Sequence, residues 1–578
     1  MKDNFRAHLA HGGFPGSHPQ NNAANEDAAA DSDCDDPHAH LASPRPAGME
    51  DILRQDDYQQ IMHRSNVSLH STVMLGYREL DLAHHWGDSC LGFSFDHLLS
   101  WLPHTKDMTP PLSSPATPVS FATLSTQQLA AMQIVSEHVF GPTQQAQLLM
   151  VIVGTAGTGK SYLINAIRHL FALHDRSDAL RVTAPTGIAA ANIQGSTVHS
   201  LLSLMNDNLS GARLHCLQTN LQFVRLLIID EYSFLSTSMF DTLDRQLRKI
   251  FPANADHHFG QMNIVLCGDP AQLAPVRGQP VYAFTPTNDR PASHFHLFNT
   301  VVELDQPFRQ TGNDDTQTRF RAVLARVANC DACNADWAWL QTRRPSNLSP
   351  AENDAFDNAK HVVSTNRTRD DFNNKRLATL GPVMRIEKSD DDLHEYHADV
   401  LDEDSLGHTG PQLYAVGAEV MLTVNLWTEA GLVNGSCGSV VHILKPTDTR
   451  RCRIIMVDFP LYHGPALMPL HLTVVPITQI RAANSNGMPL TLAWAITIHK
   501  SQGMTLECAT VDLGQREFTS GLTFVALSRC KTFHSLRIQP LELHRYKHIE
   551  NGRYVEARQH EFRRLRQLAA ATAARRAH

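Results

Sequence analysis

The sequence predicts an α/β fold: two domains built on parallel sheets, a small β-barrel inserted in the second, and a disordered N-terminal tail. Three observations carry this. Between residues 120 and 310, apolar runs of strand length alternate with helical segments, the pattern of parallel strands joined by crossovers. One such run, Leu148 to Val153, leads into the octet Gly154-Thr155-Ala156-Gly157-Thr158-Gly159-Lys160-Ser161. A helical period of Leu163, Ile164, Ile167, Leu170 and Phe171 follows it. From about 412 to 488 the pattern changes to short β segments with glycine turns, at 419–422, 439–443 and 453–457.

Residues 1–50 hold 8 acidic and 3 basic side chains among Ala, His, Asn and Pro, without periodicity, so disorder is expected. His38 and His40 have the spacing of a metal pair, but no strand surrounds them. Residues 51–119 carry enough apolar and aromatic side chains to fold, and close with a proline-rich linker at 108–118. The first α/β domain spans 120–310, with strands at 148–153, 180–184, 225–229 and 263–267. The second comprises 311–411 and 489–545, with 412–488 as the inserted barrel. Residues 546–578 form a basic tail that includes Arg558, Arg563, Arg564, Arg566, Arg575 and Arg576, read as a solvated helix before a DNA contact or import signal.

The bulk numbers exclude little. With 578 residues the chain has room for several domains, and 42% hydrophobic against 19% charged residues is a globular balance. No apolar run approaches the roughly 20 residues of a membrane helix, so no membrane partner is expected. The N-terminus has no apolar signal core. Net charge is −8, yet a nucleic-acid channel needs only a local positive stripe. The ten cysteines follow no framework, which suits a reducing compartment. Cys330 and Cys333 stand alone as a C-x-x-C pair, better read as two thiols near a helix end than as half a zinc site.

The octet is a complete phosphate-binding loop, and strand, glycine loop and helix is the context it needs. Its residues 154–161 would cradle the phosphates of ATP with backbone N–H groups at a helix N-terminus. Lys160 would reach the β- and γ-phosphates and Ser161 would ligate Mg²⁺. A second apolar run, Leu226 to Ile229, ends in Asp230-Glu231. Asp230 would hold Mg²⁺ through its water shell, and Glu231 would orient and deprotonate the attacking water. A third, Ile264 to Cys267, leads to Gly268-Asp269-Pro270-Ala271-Gln272. Ligands bind at the carboxyl ends of parallel strands, so Asp269 and Gln272 should face the γ-phosphate, Gln272 as a sensor.

These segments, with Phe308-Arg309-Gln310, Thr497 to Gly503 and Val525 to Arg529, occur in the order of superfamily-one DNA helicases. The chain most resembles the petite-integration-frequency (Pif-type) branch, related to RecD, over about 120–545. Stretches 490–497 and 511–518 also resemble Helitron transposon helicases, so a host enzyme and an element-derived copy both remain open. The resemblance implies RecA-like domains and a glutamine reading adenine at Gln128, with Gln127 beside it as the alternative. It implies single-strand contacts at Pro185, Thr186, Gly187, Thr197, His199, Thr365, Asn366, His499, Ser501, Gln502 and Thr505, and a signature segment around Phe240, Asp241, Asp244 and Arg248. Arg309 and Arg529 would reach across the domain cleft to the transferring phosphoryl group, a contribution of about 10³–10⁵ in rate.

The function expected is therefore an ATP- and Mg²⁺-dependent DNA helicase moving on single strands, with 5′-to-3′ polarity and roles in repair, recombination and telomere maintenance implied by the resemblance. Its partners would be single-stranded DNA and duplex junctions, in a nuclear setting if eukaryotic. The rivals are an element-derived single-strand-binding ATPase without unwinding, and an ATPase that remodels proteins.

Overall fold

The computed structural model describes residues 72, 74–87, 92–110, 119–141, 146–204, 210–275, 278–284, 293–386, 411–445, 453–482, 485–539 and 554–577. The expected tail at 1–50 with His38 and His40, linker residues 111–118, and basic-tail residues 546–553 lie outside these.

The first sheet is built from β1 (Leu149–Gly154), β2 (Leu180–Ala184), β3 (Ser196–Thr197), β4 (Leu226–Ile229), β5 (Asn263–Gly268) and β6 (Thr300–Leu304). Their order is β3-β2-β4-β5-β1-β6, and every neighbouring pair is parallel. Helices cover both faces of such a sheet, so its strands are apolar throughout. Val151, Ile152, Ile228, Ile229 and Leu266 are fully buried, each worth about 1.5–3 kcal/mol of burial. The order places β4, β5 and β1 side by side, so the three polar segments after them share one edge.

The second sheet starts with β7 (Lys360–Val363). The chain then leaves it through the antiparallel pair β8 (Met384–Ile386) and β9 (Gln412–Tyr414). Next come β10 (Glu419–Leu422), β11 (Cys437–Leu444), β12 (Ile454–Asp458), β13 (Val474–Thr478), the hairpin β14 (Ile480–Ala482) and β15 (Ser485–Gly487), and β16 (Leu490–Leu492). The chain returns as β17 (Ala495–Thr497), β18 (Ala509–Asp512) and β19 (Leu536–Ile538), completing a parallel sheet of order β17-β7-β18-β19. The insert itself is a five-stranded antiparallel sheet, β13-β12-β11-β10-β16, so it draws on residues as far as Leu492.

Two segments pack in ways their composition conceals. Helix Phe95–Met108 buries Phe95, Leu98, Trp101 and Leu102 in the same core as Val475 and Ile477 of the insert. Ahead of it, Asp81 ties residues 76–81 to the second domain by accepting from Gly76 N at 2.9 Å and Val383 N at 2.7 Å. The basic C-terminal segment is not a solvated helix. Val555–Ala577 lies along β6, with Leu565 buried among first-domain side chains and Thr572 Oγ1 accepting from Val301 N at 3.1 Å. Among the described residues no helix is long and apolar enough to cross a membrane.

Candidate active site

The phosphate loop follows β1 and ends at Gly159, which caps helix Lys160–Leu173 with φ +81°. Gly157 has φ +89°, and its carbonyl accepts from Phe308 N at 2.7 Å and Arg309 N at 3.2 Å. The junction between the domains is thus seated directly on the loop. Gly157 and Gly159 allow this because L residues are strained at such φ. Lys160 is buried, its Nζ donating to the Gly154 and Thr155 carbonyls at 2.7 and 3.1 Å. Thr158 is buried behind the loop, and Ser161 is exposed at the mouth.

Four polar side chains follow the neighbouring strands β4 and β5: Asp230, Glu231, Asp269 and Gln272. Asp230 accepts from Glu231 N at 3.0 Å. Burial, then the charge of Glu231, push Asp230 well above the usual carboxylate range, against the pull of Lys160. Burial also pushes Asp269 up to about 6, again opposed by Lys160. Glu231 Oε2, Asp269 Oδ2 and Gln272 Oε1 are buried with no hydrogen-bond partner among the described residues. Desolvated carboxylates and orphaned oxygens near Lys160 are a donor set that fits a hard cation and a polyanion with its water.

Asp230, Glu231 and Gln272, but not Asp269, line a cleft with a volume of about 350 Å³ that also includes Ala156, Gly157, Gly159, Lys160, Ser161, Arg309, Thr505 and Arg529. Arg529 is 1% exposed and held within its own domain. Its Nε donates to Val525 O at 2.7 Å, one Nη to Met504 O at 3.3 Å and the other to Ser528 Oγ at 2.8 Å. Burial, then Arg309, push Arg529 down to about 9, so it is still a cation at neutral pH. Burial also lowers Arg309, while Glu231 opposes the shift, and Arg309 donates to Ser528 O at 3.4 Å. Gln310 follows Arg309 in the same segment. It is buried and donates to Ser528 O and Cys530 O at 3.5 and 3.4 Å, a second tie between the arginine segments.

Other expected residues are placed differently. Gln128 does not line the cleft: it forms a capping box with Ser125 and donates to Gly159 O at 3.2 Å. Its amide therefore shapes the loop rather than presenting an edge to a base. Gln127 pairs with Asp305 at 2.8 Å. The side chains flanking the cleft mouth are Tyr162 and Phe308, 39% and 43% exposed. No period or motif singled out Tyr162 beforehand.

Of the expected DNA contacts, Thr186, Thr197 and Thr365 each cap a helix through Oγ1. Pro185 and His199 are half-buried, and Asn366 is exposed and accepts from Arg369 at 3.0 Å. Gly187 and Ile188 meet the insert: a Cβ on Gly187 would lie 2.3 Å from Asn425, and one on Gly435 would lie 2.0 Å from Ile188. Lys500 donates to Asn434 at 2.9 Å, so both domains and the insert converge there. Burial lowers His499. Ser501 is fully buried, its hydroxyl donating to Ile498 O at 2.8 Å, so it does not face a strand. Gln502 is buried with both amide atoms unpartnered among the described residues. Thr505 is exposed at the nucleotide cleft rather than away from it.

Two possible metal clusters resolve otherwise. Asp244, His258 and His294 have ligand spacing. Arg248 already serves them, pairing with Asp244 at 2.7 Å and donating to His258 Nδ1 at 2.9 Å. Cys330 faces Arg558, while Cys333 caps helix Asn334–Leu340 with Asp336, so the two thiols have separate partners.

Residues 123–333 match the model of the PIF1-like helicase family. The chain is 31% identical over 422 residues to the human ATP-dependent DNA helicase PIF1, covering 69% of this chain and 61% of that one. It is 28% identical over 461 residues to the Psychrobacter Pif1, covering 67% and 65%. The chain thus spans about three fifths of the length of its curated relatives. In fold it is similar to the crystal structure of Candida albicans Pif1, with TM-score 0.54 and 23% identity over 76% of this chain and 98% of that one. It is also similar to Bacteroides Pif1 bound to single-stranded DNA, with TM-score 0.53 and 24% identity over 72% and 92%.

Proposed function

We propose that the chain is a PIF1-like helicase, as the match of residues 123–333 and its relatives support, and from that premise that it is an ATP-dependent DNA helicase that moves along single-stranded DNA and displaces the complementary strand. The observation that carries the proposal is the convergence of Lys160, Asp230, Glu231, Gln272, Arg309 and Arg529 on one cleft. Lys160 binds the outer phosphates of ATP, and Glu231 holds and deprotonates the attacking water. Ser161 and Asp230 would hold Mg²⁺, which when bound neutralises phosphate charge. Arg309 and Arg529 stabilise charge on the transferring group.

Arg529 is fixed by its own domain while Lys160 is fixed by the first, so phosphate release loosens one domain from the other. The joint where Ile188, Gly435, Lys500 and Asn434 meet carries that movement to the strand. Contacts of this kind go to the DNA backbone and carry no sequence information. Polarity from 5′ to 3′, and service in repair, recombination and telomere maintenance, follow from the family. The test is ATP hydrolysis with and without single-stranded DNA: stimulation in the wild type and its loss in Lys160→Ala are expected. Equal hydrolysis by Lys160→Ala defeats the assignment.

A further inference from the structure

The C-terminal helix Val555–Ala577 touches both ATPase domains. Its body lies on the first, where Leu565 is buried, Thr572 bonds Val301 at 3.1 Å and Arg576 pairs with Glu137 at 2.9 Å. Its first turn lies on the second, where Val555 joins the core and Gln559 donates to Asn329 O at 3.4 Å. At the crossing stands Arg558, 1% exposed. One Nη donates to Ala271 O at 3.3 Å, in the segment that carries Gln272. The other donates to the Cys330 thiol, which ends helix Asp315–Asn329 of the second domain.

Gly521 approaches the same segment. Gly521 has φ +93°, and a Cβ there would lie 2.6 Å from Ala271 O and 2.8 Å from Gln272 O. Gly521 opens helix Leu522–Leu527, which leads to Arg529. The Ala271–Gln272 backbone therefore meets both the start of the arginine-bearing helix and the guanidinium of Arg558. A buried cation is costly unless its donors are matched; Arg558 Nε has no partner among the described residues, and the acceptors of its two Nη groups come from different domains.

We propose that Arg558 is a positioning residue for ATP hydrolysis: it fixes the Gln272 segment against the second domain, so that Gln272 and Arg529 act on the same phosphate. The role rests on the ATPase reading above and goes beyond it, because Arg558 does not line the cleft. It makes the C-terminal helix a strap across the motor.

The test compares wild type, Arg558→Met and Arg558→Lys, full-length. Steady-state ATP hydrolysis with single-stranded DNA gives kcat and KM, and hydrogen exchange reports on peptides covering 268–275 and 519–530. In Arg558→Met, kcat should fall about tenfold with KM for ATP within about twofold, the signature of a lost transition-state contact. Exchange should quicken in both peptides. Arg558→Lys keeps a cation with one reachable acceptor and should recover at least about a third of the wild-type kcat. A kcat within about twofold of wild type in Arg558→Met, or a loss that Lys does not relieve at all, overturns the role. Unchanged exchange in both peptides overturns it independently of activity. A wild type without DNA-stimulated hydrolysis overturns the proposed function and this role together.

Discussion

Replacing Gly157 with alanine should disable Arg309 while leaving that residue in the sequence. The added Cβ would sit 2.4 Å from Arg309 Cβ, whereas two carbons rest at about 3.5–4.0 Å. One of them must move by more than about 1 Å. The Gly157 carbonyl holds the backbone of Phe308 and Arg309 at 2.7 and 3.2 Å, so the movement breaks those bonds. Two hydrogen bonds contribute about 1 kcal/mol each. The left-handed backbone adds about 1–2 kcal/mol for an L residue. The local cost is then about 3–4 kcal/mol. A 1 Å misplacement near the chemistry costs on the order of 10²-fold in rate. The assay is single-strand-stimulated ATP hydrolysis by Gly157→Ala, Arg309→Ala and the double variant. Gly157→Ala should lose about 10²-fold in kcat, and adding it to Arg309→Ala should lose little more, because both remove the same cation. Losses that multiply, or a Gly157→Ala kcat within about threefold of wild type, would refute the coupling of loop to arginine.

Three further outcomes follow from the packing and the charges. Burial pushes His361 down to about 3, with Arg537, Arg376 and Lys360 adding to the shift, so the folded protein keeps it neutral where the unfolded chain takes a proton below about 6.5. That contribution is full above pH 6.5 and is lost as pH falls toward 3; His361→Gln should lose about 2 kcal/mol less than wild type between pH 7 and 5 in denaturant titrations, and parallel curves would count against it. Trp101→Ala should cost about 3–5 kcal/mol and expose the insert to limited proteolysis first, since Trp101 lies in the insert's core rather than in a linker. Single-strand affinity should fall linearly on a log scale with salt, with slope about −0.7 per phosphate contact; a flat response would argue against backbone recognition.

What the sequence made legible is what local pattern encodes. Buried parallel strands are continuous apolar runs, so β1, β2, β4 and β5 could be read almost to the residue, and the polar groups after them share an edge by necessity of the strand order. Segments whose burial depends on distant partners were not legible. Arg558 sits in a run of arginines that looks solvated, and is buried only because Ala271 O and Cys330 lie where its Nη groups end. Helix Phe95–Met108 has no motif, and its place is set by the insert's apolar face. Gln128 and Ser501 were assigned from motif position, which fixes where the backbone runs and not where a side chain finds its partner. Gln128 turns to the Gly159 carbonyl, and Ser501 to its own helix.

The central claim is that one cleft, shared by two domains, converts ATP hydrolysis into strand separation. Displacement of a labelled strand from 5′-tailed and 3′-tailed duplexes, by wild type and Arg309→Ala in parallel with binding of a fluorescent ATP analogue, tests it most directly. The wild type should displace the strand from the 5′-tailed duplex in an ATP-dependent way, and Arg309→Ala should lose displacement while keeping analogue binding. No displacement by an ATP-hydrolysing wild type, or wild-type displacement by Arg309→Ala, would contradict it.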